Sequence, residues 1–290
     1  MNATPSYINL YRTGELRKRI TSLNNMLGKC ELCPRLCQVN RLQGELGFCR
    51  AGAQLQISSA FPHFGEEAPL VGTGGSGTIF FTHCNLRCLF CQNYDISHQG
   101  NGETISSEQL AHIMHTLQER GCHNINLVTP THYLPQIIAA LPSAIDGGLH
   151  IPLVYNCGGY ESLEIIKLLD GIIDIYMPDV KCADRGVAEQ YIQAPDYPEV
   201  VKGVVKEMHR QAGDLHINEG GMAERGLLIR HLVMPQELAG TRDIMHFIAS
   251  EISCNSYVNI MNQYRPEYQS CNFPELNRAI THREYDEAIA

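Results

Sequence analysis

Seven of the twelve cysteines in this 290-residue chain fall into two tight groups: Cys30, Cys33, Cys37 and Cys49, then Cys84, Cys88 and Cys91. A backbone that must gather three or four thiols within a few residues has little freedom left, so these groups constrain the fold more than any apolar pattern. Twelve cysteines are many for a reducing compartment and too few for a disulfide scaffold. The run Met1-Asn2-Ala3-Thr4-Pro5-Ser6-Tyr7 lacks the basic-then-apolar character of a secretion signal. The expectation is a cytoplasmic protein whose grouped thiols hold metal rather than pair with one another.

Cys84, Cys88 and Cys91 follow the apolar run Thr78-Ile79-Phe80-Phe81-Thr82 with the spacing C-x3-C-x2-C. Three thiolates on a compact loop can hold three irons of a 4Fe–4S cluster and leave the fourth iron open to a ligand. A structural zinc would want a fourth protein donor, which His83 or His98 could supply. Cys30, Cys33, Cys37 and Cys49 have the spacing C-x2-C-x3-C-x11-C. Four thiolates suit either a tetrahedral zinc or an auxiliary 4Fe–4S cluster with no open iron, and spacing does not choose between them. The remaining five, Cys122, Cys157, Cys182, Cys254 and Cys271, show no such spacing and read as buried thiols.

Beyond the glycine-rich stretch Gly72–Gly77, strand-like and helix-like segments alternate. Candidate strands are Thr78–Thr82, Ile125–Thr129, Leu153–Asn156, Ile172–Met177, Leu227–Val233 and Tyr257–Met261. Between them lie helical stripes, among them Leu110, Ile113, Met114 and Leu117 behind a Ser106/Gln109 capping box and before a Gly121 stop. Alternation of this kind implies a parallel sheet with helical crossovers. At roughly 31 residues per strand–helix unit the stretch accommodates about six units, as an open partial barrel or a doubly wound sheet. Residues 1–76 read as a cysteine-rich metal-binding segment and 77–290 as the α/β unit with a C-terminal extension. The glycine stretch lacks the Gly-Lys-Ser/Thr ending of a phosphate loop and reads as a turn leading into the first strand.

With 22 Lys and Arg against 31 Asp and Glu, the net charge of −9 speaks against nucleic acid or an anionic membrane surface as partner. No apolar run approaches the ~20 residues needed to span a bilayer.

Cys84-Asn85-Leu86-Arg87-Cys88-Leu89-Phe90-Cys91 resembles the signature of the radical S-adenosylmethionine (SAM) superfamily, including the aromatic residue before the third cysteine. Gly65-Glu66-Glu67, Thr129-Pro130-Thr131, Pro178-Asp179-Val180-Lys181 and Ile229-Arg230-His231 extend the resemblance to relatives of pyruvate formate-lyase activating enzyme. The resemblance implies a partial (βα)6 barrel and an oxidoreductase in which SAM chelates the open iron. An electron from a donor such as flavodoxin or ferredoxin then cleaves SAM, and the 5′-deoxyadenosyl radical abstracts hydrogen from a substrate. Activation of a glycyl radical protein is one such reaction. Phe90 would lie beside adenine, and Lys181 would pair with the SAM carboxylate. Asp179 would serve a monovalent cation or the amino group. Arg230, charged within an apolar strand, and Asn156, before two glycines, are further candidates for contact with SAM. Many superfamily members carry a Gly-Gly-Glu-type segment for the SAM amino group where this chain has Thr129-Pro130-Thr131, so Thr129 would have to substitute. A non-catalytic iron–sulfur electron-transfer or metal-binding scaffold is the alternative from another class.

Overall fold

The computed structural model describes residues 4–290; Met1, Asn2 and Ala3, the start of the stretch inspected for a secretion signal, lie outside the described residues. Nine strands form the sheet: β1 (Leu55–His63), β2 (Ser76–Phe81), β3 (Glu103–Ile105), β4 (Ile125–Val128), β5 (Leu153–Cys157), β6 (Ile175–Pro178), β7 (His216–Ile217), β8 (Ala223–Leu232) and β9 (Tyr257–Met261). Six of them, β2, β4, β5, β6, β8 and β9, run parallel and lie side by side in chain order. A doubly wound sheet reverses its order at a switch point, so this unbroken succession is that of a barrel. Among the described residues β2 and β9 do not pair, which leaves the barrel open. β1 instead lies antiparallel along β2, and β3 along β1.

The crossovers follow the expected stripes. Helix Ser107–Glu119 starts at Ser106, whose side chain and that of Gln109 complete the capping box. In helix Tyr197–Ala212, Val201, Val204, Val205 and Met208 are all buried. Strand alternation then builds two cores. Ile79, Phe81, Leu127, Tyr155, Leu227 and Ile229 face the helices, whereas Val154, Ile175, Met177 and Leu228 face the barrel interior and pack around Leu70. Leu70 belongs to the short helix Ala68–Val71 between β1 and β2, which therefore plugs the end of the barrel where the strands begin. The glycines after it serve close approach: a Cβ on Gly74 would sit 1.8 Å from the Gly121 carbonyl oxygen.

Three expectations need correction. β6 begins at Ile175 rather than Ile172, because the Asp174 carboxylate accepts the backbone N–H groups of Leu153 (3.0 Å) and Ser6 (2.9 Å) and holds the approach as a turn. Ile172 and Ile173 are buried by packing, without strand pairing. β8 starts earlier than Leu227, at Ala223, because β7 pairs with its beginning. Cys254 and Cys271 are exposed rather than buried, since they sit in short connections at the surface; Cys122, Cys157 and Cys182 are buried. Among the described residues no helix is long and apolar enough to cross a membrane.

Thr131, after β4, and Tyr155, on β5, donate hydrogen bonds to the buried Glu161, each at 2.9 Å. Burial pushes the Glu161 carboxyl up to about 7 from 4.5, against the pull of these donors. A group raised in this way contributes stability that is complete below its unfolded value and is lost as pH rises through about 7. Thermal unfolding of Glu161→Gln, which keeps the acceptor and cannot ionise, is expected to show a flatter pH dependence across that window than the parent protein. Parallel pH profiles would show that Glu161 is not the titrating group.

Candidate functional site

The loop after β2 carries Cys84, Cys88 and Cys91, with Cys88 buried and the other two half-buried. Its backbone is held in an unusual shape: His83 and Arg87 both have positive φ, 68° and 61°. That shape points donors at sulfur. The Leu86 N–H reaches Cys84 Sγ at 3.4 Å, and Ser97 Oγ lies 3.1 Å from Cys91 Sγ. Burial raises the Cys88 thiol strongly, while the nearby Lys181 cation acts in the opposite sense. Three neighbouring thiols, a cation and donors aimed at sulfur fit a cluster held by three thiolates. Phe90 is buried and its ring lies 6.2 Å from that of Tyr264 in the C-terminal segment.

Against this loop stand the ends of three successive strands. A Cβ on Gly158, after β5, would meet Leu86 Cδ1 of the cysteine loop at 2.7 Å and Lys181 Cε at 3.6 Å. Lys181 Nζ donates to Asp179 Oδ2 at 2.6 Å, and Arg230 Nε donates to Asp179 Oδ1 at 2.8 Å. Arg230 Nη2 donates to Asn156 Oδ1 at 2.8 Å. The structure thus brings Asn156, Asp179, Lys181 and Arg230 into one network. Burial works against the charge on Asp179, but Arg230 and Lys181 outweigh it and hold the carboxyl below its usual range. Burial likewise opposes the charge on Lys181, and Asp179 more than offsets it, so the ammonium is held charged. The Tyr197 hydroxyl accepts the Lys181 backbone N–H at 2.9 Å and lies against the Gly158 and Asp179 carbonyls, fixing the two loops together.

Thr129 sits at the end of β4 with φ 57°, its N–H donated to the Asn156 carbonyl at 2.8 Å. It is therefore tied to the network through backbone. His231, which alternates away from the barrel interior, is fully buried and bonded through both ring nitrogens, to Val180 O and Thr241 Oγ1. Sequence reasoning did not assign a role to Glu66. Its Oε2 lies 3.6 Å from Arg230 Nη1. The only signal for it was its place in the Gly65-Glu66-Glu67 stretch.

Cys30, Cys33 and Cys49 are buried and Cys37 half-buried. Gly47 has no room for a side chain, since a Cβ would lie 2.9 Å from Cys37 Sγ, and the Phe48 N–H reaches that sulfur at 3.4 Å. Burial pushes the Cys33 thiol up to about 12, so a bound cation would have to displace its proton. Among the described residues no three His, Cys, Asp or Glu side chains close around a single-ion site. Arg35 joins the two cysteine loops: its Nε donates to Asn85 O at 3.0 Å, and its guanidinium lies 3.8 Å over the Phe48 ring.

A sequence model described as the radical SAM superfamily matches residues 78–218. An uncharacterised protein of Methanocaldococcus jannaschii is 34% identical over 281 residues, which cover 93% of this chain and 76% of that protein. Among solved structures, Streptococcus suis SuiB bound to the precursor peptide SuiA is 12% identical with a TM-score of 0.49, covering 72% of this chain. The anSMEcpe protein with bound AdoMet and the Cp18Cys peptide is 8% identical with a TM-score of 0.46, also over 72%. The chain spans only 43% and 55% of those two solved chains, and likeness this loose does not bear on substrate.

Arg230 has three partners and Lys181 one charged partner, which separates their roles. Arg230→Met leaves Asp179 to Lys181 alone, removes the donor to Asn156 and takes the facing cation from Glu66, and is expected to cost roughly 3 kcal/mol in denaturant unfolding. Lys181→Met is expected to cost distinctly less, because Arg230 still compensates Asp179. Equal losses would mean that Arg230 does not organise the network.

Proposed function

Because this chain belongs to the radical SAM superfamily, we propose that it cleaves SAM reductively and uses the 5′-deoxyadenosyl radical to take hydrogen from a substrate. The observation that supports this most is that Leu86 of the three-cysteine loop and Lys181 both pack against Gly158, so that the paired Lys181 cation acts on Cys88 and Cys91. When bound at Cys84, Cys88 and Cys91, a 4Fe–4S cluster supplies the electron for scission of the SAM C–S bond. The chain's own residues bind and orient. Lys181 uses its remaining N–H groups on the methionyl carboxylate. Asp179, fixed by Arg230 and Asn156, offers oxygen to the amino group or to a monovalent cation. Thr129 replaces the Gly-Gly-Glu-type contact from its left-handed turn, and Phe90 packs beside adenine.

A flavodoxin or ferredoxin is the electron donor in this reading. The activating-enzyme-like form of it, with hydrogen taken from a glycine of a partner protein, rests on the motif resemblance alone. Deuterium transfer from a labelled partner glycine into 5′-deoxyadenosine would support it, and absence of transfer would remove it. Cys30, Cys33, Cys37 and Cys49 form a second site for zinc or an auxiliary cluster.

Replacement of Cys84, Cys88 and Cys91 together by Ala is expected to remove about four irons and abolish SAM cleavage. Cleavage retained by that variant would end the reading in favour of a scaffold without catalysis. Lys181→Ala is expected to weaken SAM binding by roughly 1–3 kcal/mol with iron content unchanged, the scale of a lost charge-assisted hydrogen bond. Undiminished SAM affinity would place Lys181 outside the site. Metal analysis of a variant lacking the four N-terminal thiols is expected to show loss of about one zinc or about four irons. Unchanged metal content would mean free thiols.

A further inference from the structure

Glu66 and Glu67 are buried acids that this scheme does not use. Glu66 Oε1 lies 3.4 Å from His63 Nδ1 and its Oε2 3.6 Å from Arg230 Nη1, so one side chain reaches from the end of β1 to β8 across the barrel opening. Glu67 accepts from Asn259 Nδ2 of β9 at 2.8 Å through Oε1, while its Oε2 is buried with no hydrogen-bond partner among the described residues. Three residues on, Leu70 closes the barrel interior below. The two carboxyls therefore lie between that plug and the Asp179–Arg230 network.

A separate observation comes from β4. Asn126 is fully buried, and in register with Thr78 and Val154 it faces the interior. Neither its amide oxygen nor its amide nitrogen has a partner among the described residues. At the open edge of the barrel, linked to Glu66 through His63, runs an aromatic wall whose outer ring, Phe61, is exposed. Phe61 stacks on Phe80 at 5.6 Å between ring centres, and the His63 ring meets both edge-on. Phe80 points inward because Ile79 and Phe81 face the outer core.

A buried carboxylate oxygen without a donor is costly, and ring faces attract cations. A hydrocarbon placed here would leave Glu67 Oε2 and Asn126 unpaired, and an anion would meet the unpaired Glu67 oxygen, while the one facing guanidinium, Arg230, already donates to Asp179 and Asn156 and lies against Glu66. We propose that this part of the barrel interior is the substrate subsite and takes an ammonium or guanidinium group, held by Glu66 and Glu67 beside the Phe61–Phe80 wall. The proposal rests on the SAM reading for its place next to the radical source, and not for the binding itself.

Agmatine, a short chain with a guanidinium at one end and an ammonium at the other, is the probe, and N-butylurea, a chain of the same length that ends in a neutral urea and carries no cation, is its control. Calorimetric titration of the anaerobic, cluster-loaded protein is expected to show agmatine binding about tenfold or more tightly than the control. Glu66→Gln with Glu67→Gln should lose that preference. Glu67→Gln alone, which leaves the Arg230 contact intact, should weaken agmatine binding in the same direction. Absent agmatine binding, equal binding of probe and control, or undiminished preference in both variants would overturn the proposal. SAM cleavage by the parent protein is followed in parallel: failure there removes the SAM reading, while the titration still decides the subsite.

Discussion

Arg230 is a permanent cation on a strand whose neighbours are apolar, and the strand ends are arranged so that it is never left unpaired. Its donors go to Asp179 at the end of β6, to Asn156 on β5 and towards Glu66 from the connection after β1. A guanidinium removed from water demands such partners, because an unpaired buried charge costs far more than a paired one returns. Meeting that demand brings three separate segments to one place. It also leaves Lys181 on the second oxygen of Asp179, charged and with N–H groups to spare. Charge pairing and ligand capacity here have one origin.

The cysteine groups, separate in sequence, form one block in the fold. Arg35 lies between Cys33 and Cys37 and donates to the backbone of the second cysteine loop. Arg41, buried within the same N-terminal segment, donates to His132 O at 2.7 Å and to Gly52 O at 3.0 Å. An N-terminal segment docked in this way stiffens the loop that must keep three thiols in place. A metal held by Cys30, Cys33, Cys37 and Cys49, as proposed above, would support the first site by geometry rather than by chemistry.

How much of this was legible in the sequence follows from contact range. The cysteine loop was readable because all three of its thiols lie within eight residues. The six parallel strands were readable because each is largely apolar and the first five are each followed by a helical segment, and the charged residues at their ends stood out against that background. β1 was missed: it carries a proline, is apolar only in part, and gains its identity by pairing with β2. The start of β6 was misplaced because Asp174 is tied to groups remote in sequence. Whether Arg230 pairs within the protein or stays free for a ligand could not be read either, since Glu66 reaches it only through the closed fold. Alternation gave the inner face of each strand, but not the plug formed by Leu70, and so not the acidic groups lying above it.

The central claim is that Lys181 and Asp179 present SAM to an open iron held by Cys84, Cys88 and Cys91. The most direct measurement is pulsed electron–nuclear spectroscopy of the reduced protein with SAM labelled at the methionyl carboxylate oxygen and amino nitrogen. Hyperfine coupling from both labels to the cluster is the result this account predicts. A reduced cluster whose spectrum does not respond to SAM, or carries neither coupling, would contradict it.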